Sequence, residues 1–193
     1  MHQEIEIEYK NILTKNEYDK LLTGLQLTEM NPNQQINYYF ETDEFHLKSA
    51  GAALRIREKN NECVYTLKEP HETGLLETHE SIPAEALQDC INGNLQIPDS
   101  ITERLSSLNI PVEKLSYKGS LTTYRIETKW NECLVVLDHS VYHNTEDYEL
   151  ELEAPSVEIG EKAFQYLLTK YEIVQKSTPN KIERFFQALE SNR

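Results

Sequence analysis

The stretch EIEIEYK at residues 4–10 alternates charged and apolar side chains at every position. Because successive side chains of a strand point to opposite faces, this stretch predicts a β-strand with one charged and one apolar face. The charged face carries Glu4, Glu6, Glu8 and Lys10. Three carboxylates in a row repel one another. The strand therefore needs either full solvation or a compensating cation.

Similar patterns along the chain predict seven more strands, at residues 35–42, 52–59, 63–68, 74–81, 121–129, 133–140 and 147–153. Helical patterns follow a capping box at Thr14–Glu17 and recur at residues 83–91, 101–108, 158–171 and 180–190. Short turns between successive strands favour antiparallel pairing, and eight strands are enough to close a barrel. We therefore predict an α+β fold, an eight-stranded antiparallel closed β-barrel with flanking helices, in a single domain spanning residues 1–193.

Composition and charge narrow the classes of function. A net charge of −14 argues against nucleic-acid binding, which needs a basic surface. No apolar run is long enough for a membrane span, and the N-terminus lacks the pattern of a signal peptide. The cysteines, Cys63, Cys90 and Cys133, are odd in number and form no CxxC pair, which argues against a zinc site. We expect a cytoplasmic protein with neither a membrane nor a nucleic-acid partner.

The charges are sorted among the predicted strands. Carboxylates lie on the first and last strands, whereas the central strands carry Arg55, Arg57, Lys68 and Arg125. Carboxylate oxygens suit hard divalent cations, and clustered Arg and Lys side chains suit phosphate oxygens. A solvent-facing sheet explains one alternating strand, but it does not explain the sorting across five strands. A polar lumen with an apolar exterior under helices does.

These residues resemble the CYTH superfamily, also called triphosphate tunnel metalloenzymes. The resemblance rests on Glu6-Ile7-Glu8-Tyr9-Lys10 as an ExExK signature, followed in order by LRIR, YTLK, TTYR, VVLDHS and ELELE. It runs from Glu4 to about Lys181. It implies an eight-stranded tunnel that binds a triphosphate with Mg²⁺ or Mn²⁺.

Carried over residue by residue, the resemblance implies the following site. The metal ligands and catalytic acids are Glu6, Glu8, Glu149 and Glu151, and Asp138 supports the metal or an arginine. The triphosphate-binding cations are Lys10, which is also counted as catalytic, Arg55, Arg57, Lys68, Arg125 and a late lysine, for which we take Lys181 over Lys176.

Several positions stay open at this stage. Glu4 and Glu153 have the same strand parity as the other carboxylates but are candidates for the tunnel mouth. Either Glu77 or Glu80 is the acid expected on the strand at residues 74–81. Lys181 can also be read as only the first residue of the last helix. We expect His79, His139 and His143 at turns or on the surface and not as metal ligands.

Hydrolysis of a small triphosphate, most simply inorganic triphosphate, is the predicted activity. The enzymatic alternatives are a thiamine or nucleoside triphosphatase and an adenylate cyclase, for which no base-binding motif is recognisable. A non-catalytic polyphosphate-binding module is the alternative from another class, but anion binding alone does not need so many facing acids. A lipocalin-type barrel needs an apolar interior, and the polar parity of Glu6, Arg55, Lys68 and Arg125 argues against it.

Overall fold

The computed structural model describes residues 2–191. Met1, Asn192 and Arg193, the ends of the predicted 1–193 domain, lie outside the described residues. The described strands are β1 (His2–Glu6), β2 (Glu8–Leu13), β3 (Asn33–Glu41), β4 (Ala53–Lys59), β5 (Glu62–His71), β6 (Gly74–Ile82), β7 (Ser116–Trp130), β8 (Cys133–Tyr142) and β9 (Thr145–Glu153). The helices are α1 (Lys15–Gly24), α2 (His46–Ser49), α3 (Ala86–Ile91), α4 (Asp99–Ser107), α5 (Val157–Lys170) and α6 (Lys181–Ser191), with a 3₁₀-helix at Val112–Lys114.

The predicted first strand is divided in two at Ile7. β1 neighbours β6, whereas β2 pairs with β9. The Ile7 carbonyl accepts a hydrogen bond from the Ala154 amide, 3.0 Å away, just beyond the end of β9. Nine strands therefore replace the predicted eight in the part of the chain that the structure describes. The α+β class, the antiparallel pairing and the flanking helices are confirmed.

Asparagine residues with positive φ close three of the hairpins. Asn60 and Asn61, with φ of 53° and 64°, join β4 to β5, and Asn131, at 54°, joins β7 to β8. His143 and Asn144 join β8 to β9, with φ of 45° and 61°. Two-residue turns with positive φ match the twist of the flanking strands, and asparagine tolerates this conformation better than most residues. The turns fix the register on which the site depends.

The chain divides into two compact units. The first unit holds the chain up to Ile5 together with Gln35–Leu121, and its strands follow the order β1-β6-β5-β4-β3. Its apolar core lies on the face of Leu54, Ile56 and Leu67, against Ile101 and Leu105 of α4. The opposite face of the same strands carries the predicted cations.

The second unit holds Glu6–Gln34 together with the chain from Thr122 onward, with the strand order β7-β8-β9-β2. Leu137, Leu150 and Leu152 form its apolar face, which packs under helices α1 and α5. At Gly160 a Cβ atom would lie 2.4 Å from the Tyr9 ring, so α5 approaches β2 too closely for any larger residue. The predicted helix-covered apolar face is thus present in this unit.

Among the described residues, no helix combines the length and apolar character needed to cross a membrane.

Candidate active site

Strand register gathers the predicted acids of the second unit on one face. Asp138 of β8 lies opposite Glu149 of β9 and Arg125 of β7, and Lys10 of β2 lies opposite Glu151. These charged side chains alternate with the leucines of the apolar core. Asp138 and Glu149 are fully buried, and Glu151 is 7% exposed. The charged face is therefore enclosed and not a solvated sheet surface.

Asp138, Glu149 and Glu151 form a buried group that we call the carboxylate cluster. Arg125 donates to both oxygens of Asp138, over 2.8 and 2.6 Å, and its Nη2 also donates to Glu151 over 2.6 Å. Such a bidentate pair fixes the carboxylate in one plane. Of the two roles expected for Asp138, supporting an arginine is the one seen here.

Lys181 reaches into the centre of the carboxylate cluster. Its Nζ lies 2.6 Å from Asp138, 2.9 Å from Glu149 and 2.6 Å from Glu151. Lys176 instead contacts Glu17, the acid of the α1 capping box, over 2.8 Å. The structure thus places Lys181, and not Lys176, among the predicted acids.

Arg184 is a cluster residue that the sequence analysis missed. It lies three residues after Lys181 in α6, so both side chains leave the same face of the helix. Its guanidinium contacts Glu149 and Asp147, each at 2.8 Å. Phe185 follows it and packs on His143, with the ring centroids 4.5 Å apart, which anchors α6 beside the β8–β9 turn. The i, i+3 spacing of Lys181 and Arg184 was the sequence signal that could have identified Arg184.

The pKa values of the cluster record this pairing. Burial alone would raise the pKa of Glu151, but Lys181 and Arg125 hold it well below its ordinary value. Burial would lower the pKa of Lys181, but the three carboxylates raise it well above its ordinary value. Glu151 and Lys181 are therefore both charged at neutral pH, as buried ions with close partners can be.

The ExExK segment lies beside the cluster in the same unit. Lys10 Nζ donates to Glu8 Oε1 over 2.8 Å. Burial opposes the charge on Lys10, but Glu8, with Glu149 and Glu151, raises its pKa. Burial and the nearby Glu6 raise the pKa of Glu153 to about 7. The ionised form of the Glu153 carboxylate is therefore unfavourable on this acidic face.

Glu153→Gln should stabilise the metal-free protein in a pH-dependent way. The pKa of Glu153 rises from 4.5 to about 7 on folding, so the folded state binds the extra proton between these values. Stability from this group is present below pH 4.5 and is lost as the pH rises through 7. The variant should match the wild type near pH 4 and exceed it by about 1–2 kcal/mol at pH 8, after allowance for partial exposure.

Chemical denaturation in chelator across this pH range measures the difference. Glu132→Gln, at an exposed position of the β7–β8 turn in the same unit, is the control. A constant difference between Glu153→Gln and the wild type from pH 4 to pH 8 would contradict the assignment.

In the first unit, Arg55 and Arg57 project from β4 on the face opposite its apolar core. Arg57 Nε donates to Asn37 Oδ1 over 3.1 Å. The Nε atom of Arg55 is buried and has no hydrogen-bond partner among the described residues. A buried donor without a partner is costly, and an oxygen of an anionic ligand would satisfy it.

Register separates Glu77 from Glu80. Glu77 lies opposite Lys68 and forms an ion pair with it, on the same face as Arg55. Glu80 has the opposite parity, and its carboxylate accepts a hydrogen bond from Ser100 Oγ, 3.4 Å away. The structure therefore selects Glu77 as the acid on the polar face.

The expectation that His79 lies at a turn or on the surface was wrong. It lies within β6, and its Nε2 is 3.3 Å from both Glu4 Oε1 and Glu77 Oε2. His139 is likewise a strand residue, stacked on Tyr148 with ring centroids 4.6 Å apart, and only His143 is in a turn. His79 and His139 both fall within strands that the sequence predicts, at 74–81 and 133–140, so the strand pattern was the better guide to their positions.

The carboxylate cluster fits a hard divalent cation by its donor set. All three acids offer oxygen ligands, which Mg²⁺ and Mn²⁺ prefer. The Lys181 ammonium already brings oxygens of all three acids within 2.9 Å of one positive charge. The oxygens of the three acids are thus arranged around a single positive charge.

Comparisons with known proteins identify the family of the chain. Residues 4–186 match the CYTH domain. YjbK of Bacillus subtilis (strain 168), which carries a provisional triphosphatase name, is 46% identical over 188 residues, covering 97% of each chain. A crystal structure from Bacillus halodurans, provisionally named an adenylate cyclase, has a TM-score of 0.92 and 39% identity, and the match covers 96% of this chain and all of that one.

HpAC1 from Hippeastrum, whose provisional name is adenylyl cyclase and whose title reports a dominant triphosphatase activity, shares the fold. Its TM-score is 0.77 at 24% identity, and the match covers 95% of each chain. The match to the CYTH domain over nearly the whole chain, together with close relatives of full length, shows that the chain belongs to the CYTH domain family.

Proposed function

We propose that this chain hydrolyses a triphosphate, most simply inorganic triphosphate, with the help of Mg²⁺ or Mn²⁺. The carboxylate cluster is the observation that carries the proposal. Three buried acids on one sheet face, held by cations, are a costly arrangement for stability alone. Membership of the CYTH family and the provisional triphosphatase name of YjbK support the same activity.

In this proposal the acids hold the metal and the basic residues hold the substrate. Glu6, Glu8, Glu149 and Glu151 are assigned to the metal, and Asp138 positions Arg125. Lys10, Arg55, Arg57, Lys68, Arg125 and Lys181 are assigned to phosphate oxygens. The unpartnered Nε of Arg55 supports this assignment, because a phosphate oxygen would satisfy it.

The mechanism is direct hydrolysis without a covalent intermediate. The bound metal supplies neutralisation of charge on the phosphate oxygens. The basic side chains orient the phosphate chain for in-line attack on the terminal phosphorus, and positioning supplies most of the catalysis in phosphoryl transfer. A glutamate of the acidic set accepts the proton of the attacking water.

The proposal includes a closed barrel of antiparallel strands, a single domain, a cytoplasmic location and a small-molecule partner in place of a nucleic acid or membrane. Inorganic triphosphate is preferred over thiamine or nucleoside triphosphate because no base-recognition motif is visible in the sequence. The adenylate cyclase name of the Bacillus halodurans protein makes cyclisation of ATP the second candidate.

Phosphate release from inorganic triphosphate, ATP and thiamine triphosphate, each with Mg²⁺, Mn²⁺ or chelator, tests the proposal. We expect metal-dependent release, fastest from inorganic triphosphate, that Glu6→Gln loses. Absence of release, with triphosphate still raising the Tm, would favour a binding module and overturn hydrolysis.

Arg55→Met should weaken triphosphate binding without unfolding the protein. The variant loses a charge-assisted hydrogen bond worth about 1.5–3 kcal/mol, or roughly 10- to 150-fold in Kd. Isothermal titration with inorganic triphosphate in chelator measures the change. Lys48→Met removes one positive charge from an exposed position of the same unit and is the control. If both variants weaken triphosphate binding equally, the loss reflects the change in net charge and not a contact of Arg55 with the phosphate.

A further inference from the structure

Three potential metal ligands meet on the neighbouring strands β1 and β6 of the first unit. They are Glu4 of β1 and Glu77 and His79 of β6, and their ligand atoms all lie within 4.8 Å of one another. His79 Nε2 is 3.3 Å from Glu4 Oε1 and 3.3 Å from Glu77 Oε2. We propose that these residues form a separate site for a divalent transition-metal ion of the Zn²⁺ and Co²⁺ class.

The distances suit a coordinated ion. Nitrogen and carboxylate ligands lie about 2.0–2.2 Å from Zn²⁺, so two such atoms at a tetrahedral angle are about 3.4 Å apart. Both contacts of His79 Nε2 are close to this separation. A metal ion therefore fits between these ligand atoms with little movement of the side chains.

The orientation of His79 is an independent observation. Its Nδ1 lies 3.1 Å from the hydroxyl of the buried Thr66, which fixes the ring. Its Nε2 is buried and makes no hydrogen bond of acceptable geometry within the described residues. A ring nitrogen held by an outer hydrogen bond, with the other nitrogen aimed at carboxylates, is the usual arrangement of a metal-binding histidine.

The donor set separates this site from the carboxylate cluster. An imidazole nitrogen with two carboxylate oxygens favours Zn²⁺ or Co²⁺, whereas an all-oxygen set favours Mg²⁺. Lys68 contacts the other oxygen of Glu77, which orients the carboxylate towards His79. The Glu4 side chain is 57% exposed, so the ion has a path from solvent.

Titration with Co²⁺ in excess Mg²⁺, followed by visible absorption and calorimetry, tests this site without any assay of activity. We expect one Co²⁺ per chain, bound at least about ten-fold more weakly by His79→Gln and Glu4→Gln. Thr66→Val, which frees the ring, should weaken binding by about 10- to 100-fold. Because Glu4 is exposed, its variant tests the site even where His79→Gln fails to fold.

His139→Gln is the matched control, because His139 contacts one carboxylate, Glu146, at 2.8 Å. It should bind Co²⁺ as the wild type does. Unchanged affinity in Glu4→Gln and His79→Gln, or loss of uptake in Glu151→Gln alone, would assign the ion to the carboxylate cluster. No uptake of Co²⁺ or Zn²⁺ by the wild type would overturn the proposal.

Discussion

Glu151→Gln should lower kcat for triphosphate cleavage by roughly a thousand-fold. Glu151 is buried, contacts Arg125 and Lys181, and is assigned to the metal. Removing one charged metal ligand forfeits several kcal/mol of transition-state stabilisation, and each 1.36 kcal/mol is a factor of ten in rate. Steady-state phosphate release over a range of Mg²⁺ concentrations measures the loss.

Glu146→Gln changes an exposed acid on the same strand and should keep full activity. The Tm of both variants in chelator shows whether the fold is retained. A well-folded Glu151→Gln protein with undiminished kcat at low Mg²⁺ would remove this residue from the catalytic set.

Arg125→Leu should destabilise the protein by about 3–5 kcal/mol. The guanidinium is 10% exposed and is shared between Asp138 and Glu151. Its loss leaves the fully buried Asp138 with the Lys181 ammonium as its contact in the cluster, and a buried carboxylate with too few partners is costly. Urea denaturation in chelator at neutral pH gives the change in unfolding free energy.

Lys162→Ala provides the contrast, because Lys162 pairs with Glu158 on the exposed face of α5. An exposed pair of this kind contributes about 0.3–0.5 kcal/mol. Similar small losses in both variants would show that burial of Arg125 adds nothing to its ion pairs.

Alternation of side chains predicted most of the fold. The Asn60-Asn61 turn and the capping box of α1 are visible in the sequence because their cause is local. By contrast, α2 escaped prediction because it has four residues. The buried Glu41 side chain accepts hydrogen bonds from the Leu47 and Lys48 amides at the start of α2. A contact between residues six or seven positions apart leaves no periodic pattern in the sequence.

The division of the first strand at Ile7 could not be predicted from the sequence either. The alternation of EIEIEYK continues through the break without any change in the sequence pattern at Ile7. What changes is the strand that each half accompanies, β6 for one and β9 for the other. Pairing partners depend on distant residues, so no local pattern reports them.

Register decided what the sequence left open in the candidate site. The choice of Glu77 over Glu80 follows from its position opposite Lys68, and that of Lys181 over Lys176 from the packing of α6. Arg184 was missed and His79 was misassigned because Glu149 and Glu4, which they contact, lie on other elements. Short sequence motifs predict the kind of chemistry at a site, whereas tertiary contacts determine which residues take part in it.

The most direct test of the central claim is ³¹P NMR of inorganic triphosphate incubated with the protein and Mg²⁺. Hydrolysis predicts disappearance of the triphosphate signals and growth of pyrophosphate and orthophosphate in equal amounts, abolished by chelator. Unchanged triphosphate, in a sample where ATP is converted to cyclic AMP and pyrophosphate, would contradict a triphosphatase and assign the site to cyclisation.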